Sequence, residues 1–385
     1  MYEMIERGLR GGMCQVSKKH VKANNKYMDN YNQDIISSFI AYLDANNLYG
    51  GGMSEQLPSS DFEWSGDIQT AEDVLKYDNG DNGYILDVDL HYPKDFHDLH
   101  ADYPLAPENL KVSADMVSDF SKDIYMQYHE GKPVKDENGK KLILNVRDKT
   151  NYVVHIRNLK YYLENGLVLT KINRCIKFKQ SKWLKPWIDF NTEKRRESTS
   201  EFHKDLFKLM NNAVFGKTME NVREHVDFEL VHDAKRYEKC VSSPTYKYQH
   251  YIHDQLVGIE KTKSVVKLNK PIYAEFAILE LSKIHMYQFY YDVLKPKYGD
   301  KVRLAYTDTD SFVLYIETDD IYEDLKQLNE YMDFSDYPKD HPNYDATNKK
   351  VLGKFKDEMN GKIITEFIAL KPKMYSYKVD DNEFF

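Results

Sequence analysis

Hydrophobic positions along this chain change period from block to block, and those changes predict its elements. Ile40 to Gly50 is a mostly apolar run that enters a turn, which predicts a strand with Asp44 near its C-terminal end. Val302, Leu304 and Tyr306 alternate on one side of Thr307 to Asp310, and an apolar run to Ile316 follows on the other, which predicts a hairpin with acids at its tip. Ser198 to Val222 has helical spacing: Phe202, Leu206, Leu209 and Ala213 form an apolar stripe, while Lys204, Lys208, Asn212 and Phe215 share a second face. Ser198, with Glu201 three residues on, supplies a capping box for its start. After Pro271 the segment Ala274 to Leu294 repeats the pattern, its stripe of Ala274, Ala277, Leu281, Ile284 and Tyr291 broken by Gln288, and reads as a core helix. Turn signals at Gly50-Gly51-Gly52, at Asn79 to Gly83 and at Lys135 to Gly139 are local, and no repeat divides the chain.

Composition narrows the class. A length of 385 residues allows two or three compact subdomains, and a hydrophobic share of 41% excludes a disordered chain. The 31 tyrosines offer flat faces with polar tips, suited to base stacking, to wet interfaces or to plain sheet packing. Cys14, Cys175 and Cys240 lack any disulfide or zinc spacing, which suits a reducing intracellular compartment, nucleus or cytoplasm. No stretch approaches the roughly 18 apolar residues of a membrane helix, so a soluble protein without a membrane partner is expected.

Charge excludes a simple basic coat for nucleic acid, since the net charge is -8. Its distribution is uneven: Lys171 to Lys217 holds twelve Lys and Arg against five Asp and Glu, between the acid-rich stretches Asp61 to Asp123 and Glu317 to Asp345. Such a strip can hold a phosphate backbone or be an ordinary solvated face.

The chemistry concentrates at Asp308-Thr309-Asp310-Ser311. Two carboxylates two residues apart at a bend call for a cation, and magnesium takes one or two protein carboxylates while leaving room for phosphate and water. Alone, such a pair reads more readily as a turn cap than as a metal site. A calcium loop is excluded, because Phe312 stands at its fifth position and the sixth lacks glycine. Asp44 is the candidate third acid, and Lys208, Lys204 and Arg196 are candidate phosphate contacts. Asp87-Val88-Asp89 repeats the acid spacing and reads as a structural hairpin.

Four segments in order resemble the motifs of family B DNA polymerases of the protein-primed kind. Asp44-Ala-Asn-Asn-Leu-Tyr49-Gly50 resembles motif A, Lys208 to Gly216 resembles motif B, Tyr306-Thr-Asp308-Thr-Asp310-Ser311 matches motif C, and Lys373-Met-Tyr375 resembles the downstream Lys-x-Tyr motif. Gly11-Gly12 resembles the short element that precedes the polymerase domain. The departures are Asn47 for Ser, Gly50 for Pro, Ala213 for Ser and Phe215 for Tyr.

The resemblance implies an α+β right-hand polymerase with palm, helical fingers and partial thumb, adding deoxynucleotides on a DNA template with two Mg2+ ions, or Mn2+ in their place. Asp44 and Asp310 would bind the metals, with Asp308 close by. Tyr49 would exclude a ribose 2′-OH; Lys208, Arg196 and Lys204 would hold the triphosphate; Asn212 and Phe215 would line the base pair; Gly216, Tyr306, Lys373 and Tyr375 would steady the primer. Implied partners are template-primer DNA, deoxynucleoside triphosphates and a priming terminal protein. The implied division is 1–53 for the start and motif A, 54–195 for an insertion seating the priming protein, and 196–222 for the fingers helix. It continues with 223–300 for a second insertion and palm helix, 301–360 for motif C and 361–385 for the start of the thumb. The 43 residues before Asp44 are too few for a proofreading exonuclease. Two rivals stand beside this reading: an incompetent DNA-binding remnant of a mobile element, and a reverse transcriptase or RNA-dependent polymerase, whose hairpin acids would be adjacent rather than separated by Thr309.

Overall fold

A computed structural model describes residues 1–113, 116–128, 140–380 and 383–384; the predicted turn at Lys135 to Gly139 lies outside them. The elements that bear on the site are, in chain order, β1 (Cys14–Val16), β2 (Ser38–Ala45), α1 (Leu48–Met53), α2 (Lys185–Glu197), α3 (Glu201–Thr218) and α4 (Ile272–Gln288). They continue with β3 (Val302–Asp308), β4 (Ser311–Glu317), β5 (Phe355–Asp357), β6 (Ile364–Lys371) and β7 (Met374–Val379). The strands form one antiparallel sheet in the order β1, β3, β4, β2, β6, β7, with β5 beside the end of β2 and His20–Lys22 beside β6.

The apolar run after the acids becomes the centre of this sheet because both its faces are covered. Phe312, Leu314 and Ile316 enter a core shared with Tyr287 and Tyr290, while Val313 points the other way toward Ile40, Tyr306 and Phe367. A central strand buried on both sides carries apolar residues continuously rather than alternately. The helix behind it follows the same rule: α4 is buried almost all round and widens into a π turn over Phe289–Leu294, so the predicted stripe is one side of a fully enclosed rod.

The helix predicted from Ser198 to Val222 differs in both extent and orientation. It starts at Glu201 and ends at Thr218, Ser200 makes no side-chain cap, and Ser198 closes the preceding helix by donating its hydroxyl to the Lys194 carbonyl at 2.6 Å. The capping box is therefore absent, because that hydroxyl is already spent on α2. The stripe of Phe202, Leu206, Leu209 and Ala213 faces solvent, with Phe202 72% exposed. It is Val214 and Phe215 that pack inward, against Leu184, Ile188 and Ile278.

Residues 54–195 hold a four-stranded antiparallel sheet in the order Leu57–Trp64, Val168–Ser181, Asn82–His91, Lys149–His155. Asp87 and Asp89 lie inside its Asn82–His91 strand rather than at a hairpin tip. Asp87 is 1% exposed and is held by Arg7 at 2.6 Å and Arg174 at 2.9 Å, a structural ion cluster. Residues 223–300 hold a three-stranded sheet of Asp227–Val231, Leu256–Lys261 and Tyr246–His253 ahead of α4. Among the described residues no helix is long and apolar enough to cross a membrane.

A buried ion pair ties the N-terminal segment to α4. Arg10, 4% exposed, donates to Glu280 at 3.3 Å and stacks 4.0 Å over the Tyr152 ring, while Lys283 donates to the Arg10 carbonyl at 2.8 Å. Removing one partner strands a charge in the core, which costs more than the pair contributes. Arg10→Met is expected to lower unfolding free energy by about 3–5 kcal/mol in urea titrations; an unchanged midpoint would refute the pair's structural weight.

Candidate active site

The site is assembled by strand register. Antiparallel pairing of β4 with β2 runs from Ser311 opposite Asp44 to Glu317 opposite Ser38, and the Ala45 amide donates to the Asp310 carbonyl at 2.8 Å. Two acids remote in sequence are thereby set side by side. On its other flank, β5 places Lys356 opposite Asp44.

The acid turn is held from below by the N-terminal segment. Thr309 has φ of 61°, a costly left-handed conformation for a β-branched residue, and its amide donates to the Met13 carbonyl at 2.7 Å. A Cβ on Gly12 would come within 2.2 Å of Thr309 Oγ1, so the chain can approach the turn this closely only as glycine.

Each acid meets a different environment. Burial raises the Asp44 carboxyl to about 7, the charges of Asp310 and Glu358 push the same way, and Lys356 and Lys208 oppose. Asp310 is raised as well, first by burial and then by Asp308 and Glu358. Asp308 instead turns to Lys373, whose Nζ donates to both its oxygens at 2.8 and 3.1 Å, and accepts from Tyr306 Oη at 3.2 Å. The Lys373 amide donates back to Tyr306 Oη at 3.2 Å, Tyr375 packs its ring 4.8 Å from that of Tyr306, and Cys14 Sγ lies 3.3 Å from Tyr306 Oη.

A cavity of about 540 Å³ opens on Asp44 and Asp310. Tyr49 and Phe215 form one wall, their rings stacked at 4.1 Å and 19°. Lys208, Arg195 and Lys356 bring positive charge to it, and Asn212 and Asn46 bring amides. The two departures in motif A act together: Asn47 adopts φ of 43° and its side chain caps α1 at the Gly50 amide, where any Cβ would collide with that side chain at 2.4 Å. Burial raises the Tyr49 phenol to about 12, with the Asp310 charge adding to the rise, so it is a neutral hydroxyl at physiological pH.

Of the predicted residues, Asp44, Asp310, Tyr49, Lys208, Asn212 and Phe215 line this one cavity, while Asp308, Tyr306, Lys373 and Tyr375 form a linked group outside its lining. Arg196 and Lys204 are not among the lining residues. Arg196 is exposed at the end of α2 and its neighbour Arg195 lines the cavity, whereas Lys204 is paired with Glu201 at 2.6 Å. Gly216 is exposed, with nothing within 4 Å of a notional Cβ. Helical phase over Lys185–Glu197 would have distinguished Arg195 from Arg196; nothing local marks Lys356, which reaches the site through β5 alone.

Among the described residues no group of three or more His, Cys, Asp or Glu side chains is arranged to hold a metal ion. Asp308, expected close by, is held by Lys373 and is not among the lining residues of the cavity. The donors that do converge, the Asp44 and Asp310 carboxylates on an open cavity, fit magnesium, a hard cation that usually keeps only one or two protein carboxylates.

No protein-family model matches the chain, and no curated protein matches it. Among solved structures, Phi29 DNA polymerase complexed with primer-template DNA and incoming nucleotide substrates is similar at TM-score 0.52 and 17% identity, over 98% of this chain and 50% of that one. The post-translocation binary complex of the same polymerase with primer-template DNA gives TM-score 0.51 and 15% identity, over 100% of this chain and 51% of that one. The chain thus spans about half the length of these polymerases, and the likeness is one of fold: a mixed α+β arrangement with antiparallel sheets.

The raised Asp44 carboxyl sets a pH dependence of stability. Its value of about 7 against an ordinary 3.8 means that folding takes up a proton between the two; this stabilisation is complete below the ordinary value and is lost as pH rises through about 7. In chelator-treated protein, the stability of Asp44→Asn relative to wild type is expected to grow by about 1–2 kcal/mol from pH 5 to pH 8, after allowance for solvent screening. Thermal melts across that range check it, and a difference that does not vary with pH would refute the coupling.

Proposed function

We propose that the chain is the polymerising part of a DNA-directed DNA polymerase, adding deoxynucleotides to a primer 3′-OH or to a protein hydroxyl in protein-primed replication of a viral or transposon-like element. In this reading the central sheet is the palm, α2 and α3 are the fingers, and β6 and β7 lead toward a thumb. The observation that carries it is the register that seats Asp44 beside the Asp310 turn, on a cavity walled by Tyr49 and Phe215 and flanked by Lys208 and Arg195. Motifs read separately from the sequence meet there, and the fold resembles that of Phi29 DNA polymerase.

Each residue then has a chemical task. Lys208 and Arg195 bind the triphosphate, one as a point charge and the other as a planar fork. Tyr49, braced by the Phe215 ring, fills the space a ribose 2′-OH would need, and Asn212 borders the base. Asp44 and Asp310 would hold two Mg2+ ions, with Mn2+ as a substitute, and such ions neutralise charge on the attacking and leaving oxygens of an in-line displacement. Lys373 and Tyr306 hold Asp308 beside the turn and, with Tyr375, steady the primer end. Most of the rate enhancement comes from positioning and preorganised charge rather than from proton transfer.

The partners follow from the same reading: template-primer DNA, deoxynucleoside triphosphates, and a terminal protein seated on residues 54–195. A reducing intracellular compartment suits the three free cysteines.

Primer extension on a DNA template with Mg2+ tests the proposal. Asp310→Asn and Asp44→Asn are each expected to lose at least about 4 kcal/mol of transition-state stabilisation, roughly a thousandfold in rate. Wild-type rates in either variant would remove the site, template-primer binding without incorporation by the wild type would leave a DNA-binding remnant, and a preference for RNA templates would favour a reverse transcriptase.

A further inference from the structure

Glu275 has no task in the chemistry above, yet it lies directly behind the cavity wall. It sits in the first turn of α4 with 0% exposure. Its Oε2 is 2.7 Å from Thr218 Oγ1, and its Oε1 has no hydrogen-bond partner. Burial raises this carboxyl to about 7, against the opposing effects of Thr218 and of Lys283 on the same helix. When ionised it would raise the Tyr49 phenol on α1.

Thr218 is the last residue of α3, and its hydroxyl also lies 2.9 Å from the Phe215 carbonyl. A hydroxyl has one proton to give, and a carbonyl and an ionised carboxylate can only accept. With Glu275 ionised, one of the two contacts would go unbonded. With Glu275 protonated both are made: the acid donates to Thr218 Oγ1, which donates to the Phe215 carbonyl. Among the described residues the other hydrogen bonds from α3 to a neighbouring helix, Trp187 to the Met210 carbonyl and Asn211 to Thr192, go to α2. The Thr218 contact is the one that reaches α4, and the turn around it is open, with Gly216 and Lys217 exposed.

We infer that Glu275 is a positioning residue for nucleotide selection: as a neutral acid it is linked through Thr218 to the backbone of Phe215, and so fixes the ring that braces Tyr49. The inference rests on the polymerase reading for its functional consequence, but its geometric content does not.

Three variants separate the possibilities. Glu275→Ala and Thr218→Val both break the relay, whereas Glu275→Gln restores a donor to Thr218. A crystal structure of Glu275→Ala is expected to show the Tyr49 and Phe215 rings farther apart than 4.1 Å, with Glu275→Gln keeping the stack. In primer extension, Glu275→Ala and Thr218→Val are expected to lose deoxyribonucleotide over ribonucleotide discrimination by about tenfold, through KM more than kcat, with Glu275→Gln near wild type. An undisturbed ring stack in Glu275→Ala, or a Glu275→Gln as impaired as Glu275→Ala, overturns the inference. Wild-type protein that extends no primer overturns the polymerase reading, and the ring separation still decides the role of Glu275. Thr218→Val preserves side-chain shape, so it reports on the relay should Glu275→Ala fail to fold.

Discussion

The structure turns on one antiparallel register, Ser311 opposite Asp44. A slip of one residue would send every side chain of β2 to the opposite face and take Asp44 away from the Asp310 turn. The register is enforced by burial on both sides of the sheet: Leu43 belongs to one core and Ile40 to the other, so neither face tolerates a shift. What the register places together is electrostatically unfavourable. Burial raises the proton affinity of both acids, Asp310 and Glu358 raise that of Asp44 further and Asp308 and Glu358 that of Asp310, and the surrounding cations Lys356, Lys208 and Lys373 offset only part of this.

Strain and charge at this point are supported from elsewhere in the chain. Thr309 keeps its left-handed backbone because the Met13 carbonyl receives its amide and Gly12 leaves room beneath it. That segment is in turn anchored two residues earlier by Arg10, buried against Glu280 of α4. On the other side, Lys373 and Tyr306 fix the orientation of Asp308. The acid turn is thus a junction among the N-terminal segment, the central hairpin and the turn leading into β7, parts of the chain remote from one another in sequence.

The wall of the cavity is held more lightly. α3 turns Phe202 and Leu209 to solvent and reaches α4 through the packing of Val214 and Phe215 and, at its last turn, through the Thr218 to Glu275 contact. Few buried apolar contacts and exposed backbone are the physical marks of an element that can move relative to its scaffold. Phe215 stands where α3 meets its scaffold, its ring stacked on that of Tyr49 and packed against the cluster that includes Ile278 of α4.

By itself the sequence determined the local pieces: the strand ending at Asp44, the hairpin carrying Asp308 and Asp310, the core helix after Pro271, and the residue types able to take phosphate and metal. These are legible because period and turn chemistry act over a few neighbouring residues. Tertiary structure decided which face of α3 turned inward, since both faces carry apolar residues and only the neighbours α2 and α4 distinguish them. It decided that Ser198 would close one helix instead of opening the next, and that Arg195 rather than Arg196 would line the cavity. It also brought in Lys356, Gly12 and Glu275, whose roles depend on partners far away in the chain. Such roles follow from long-range register and burial, which leave no period in the sequence to be read.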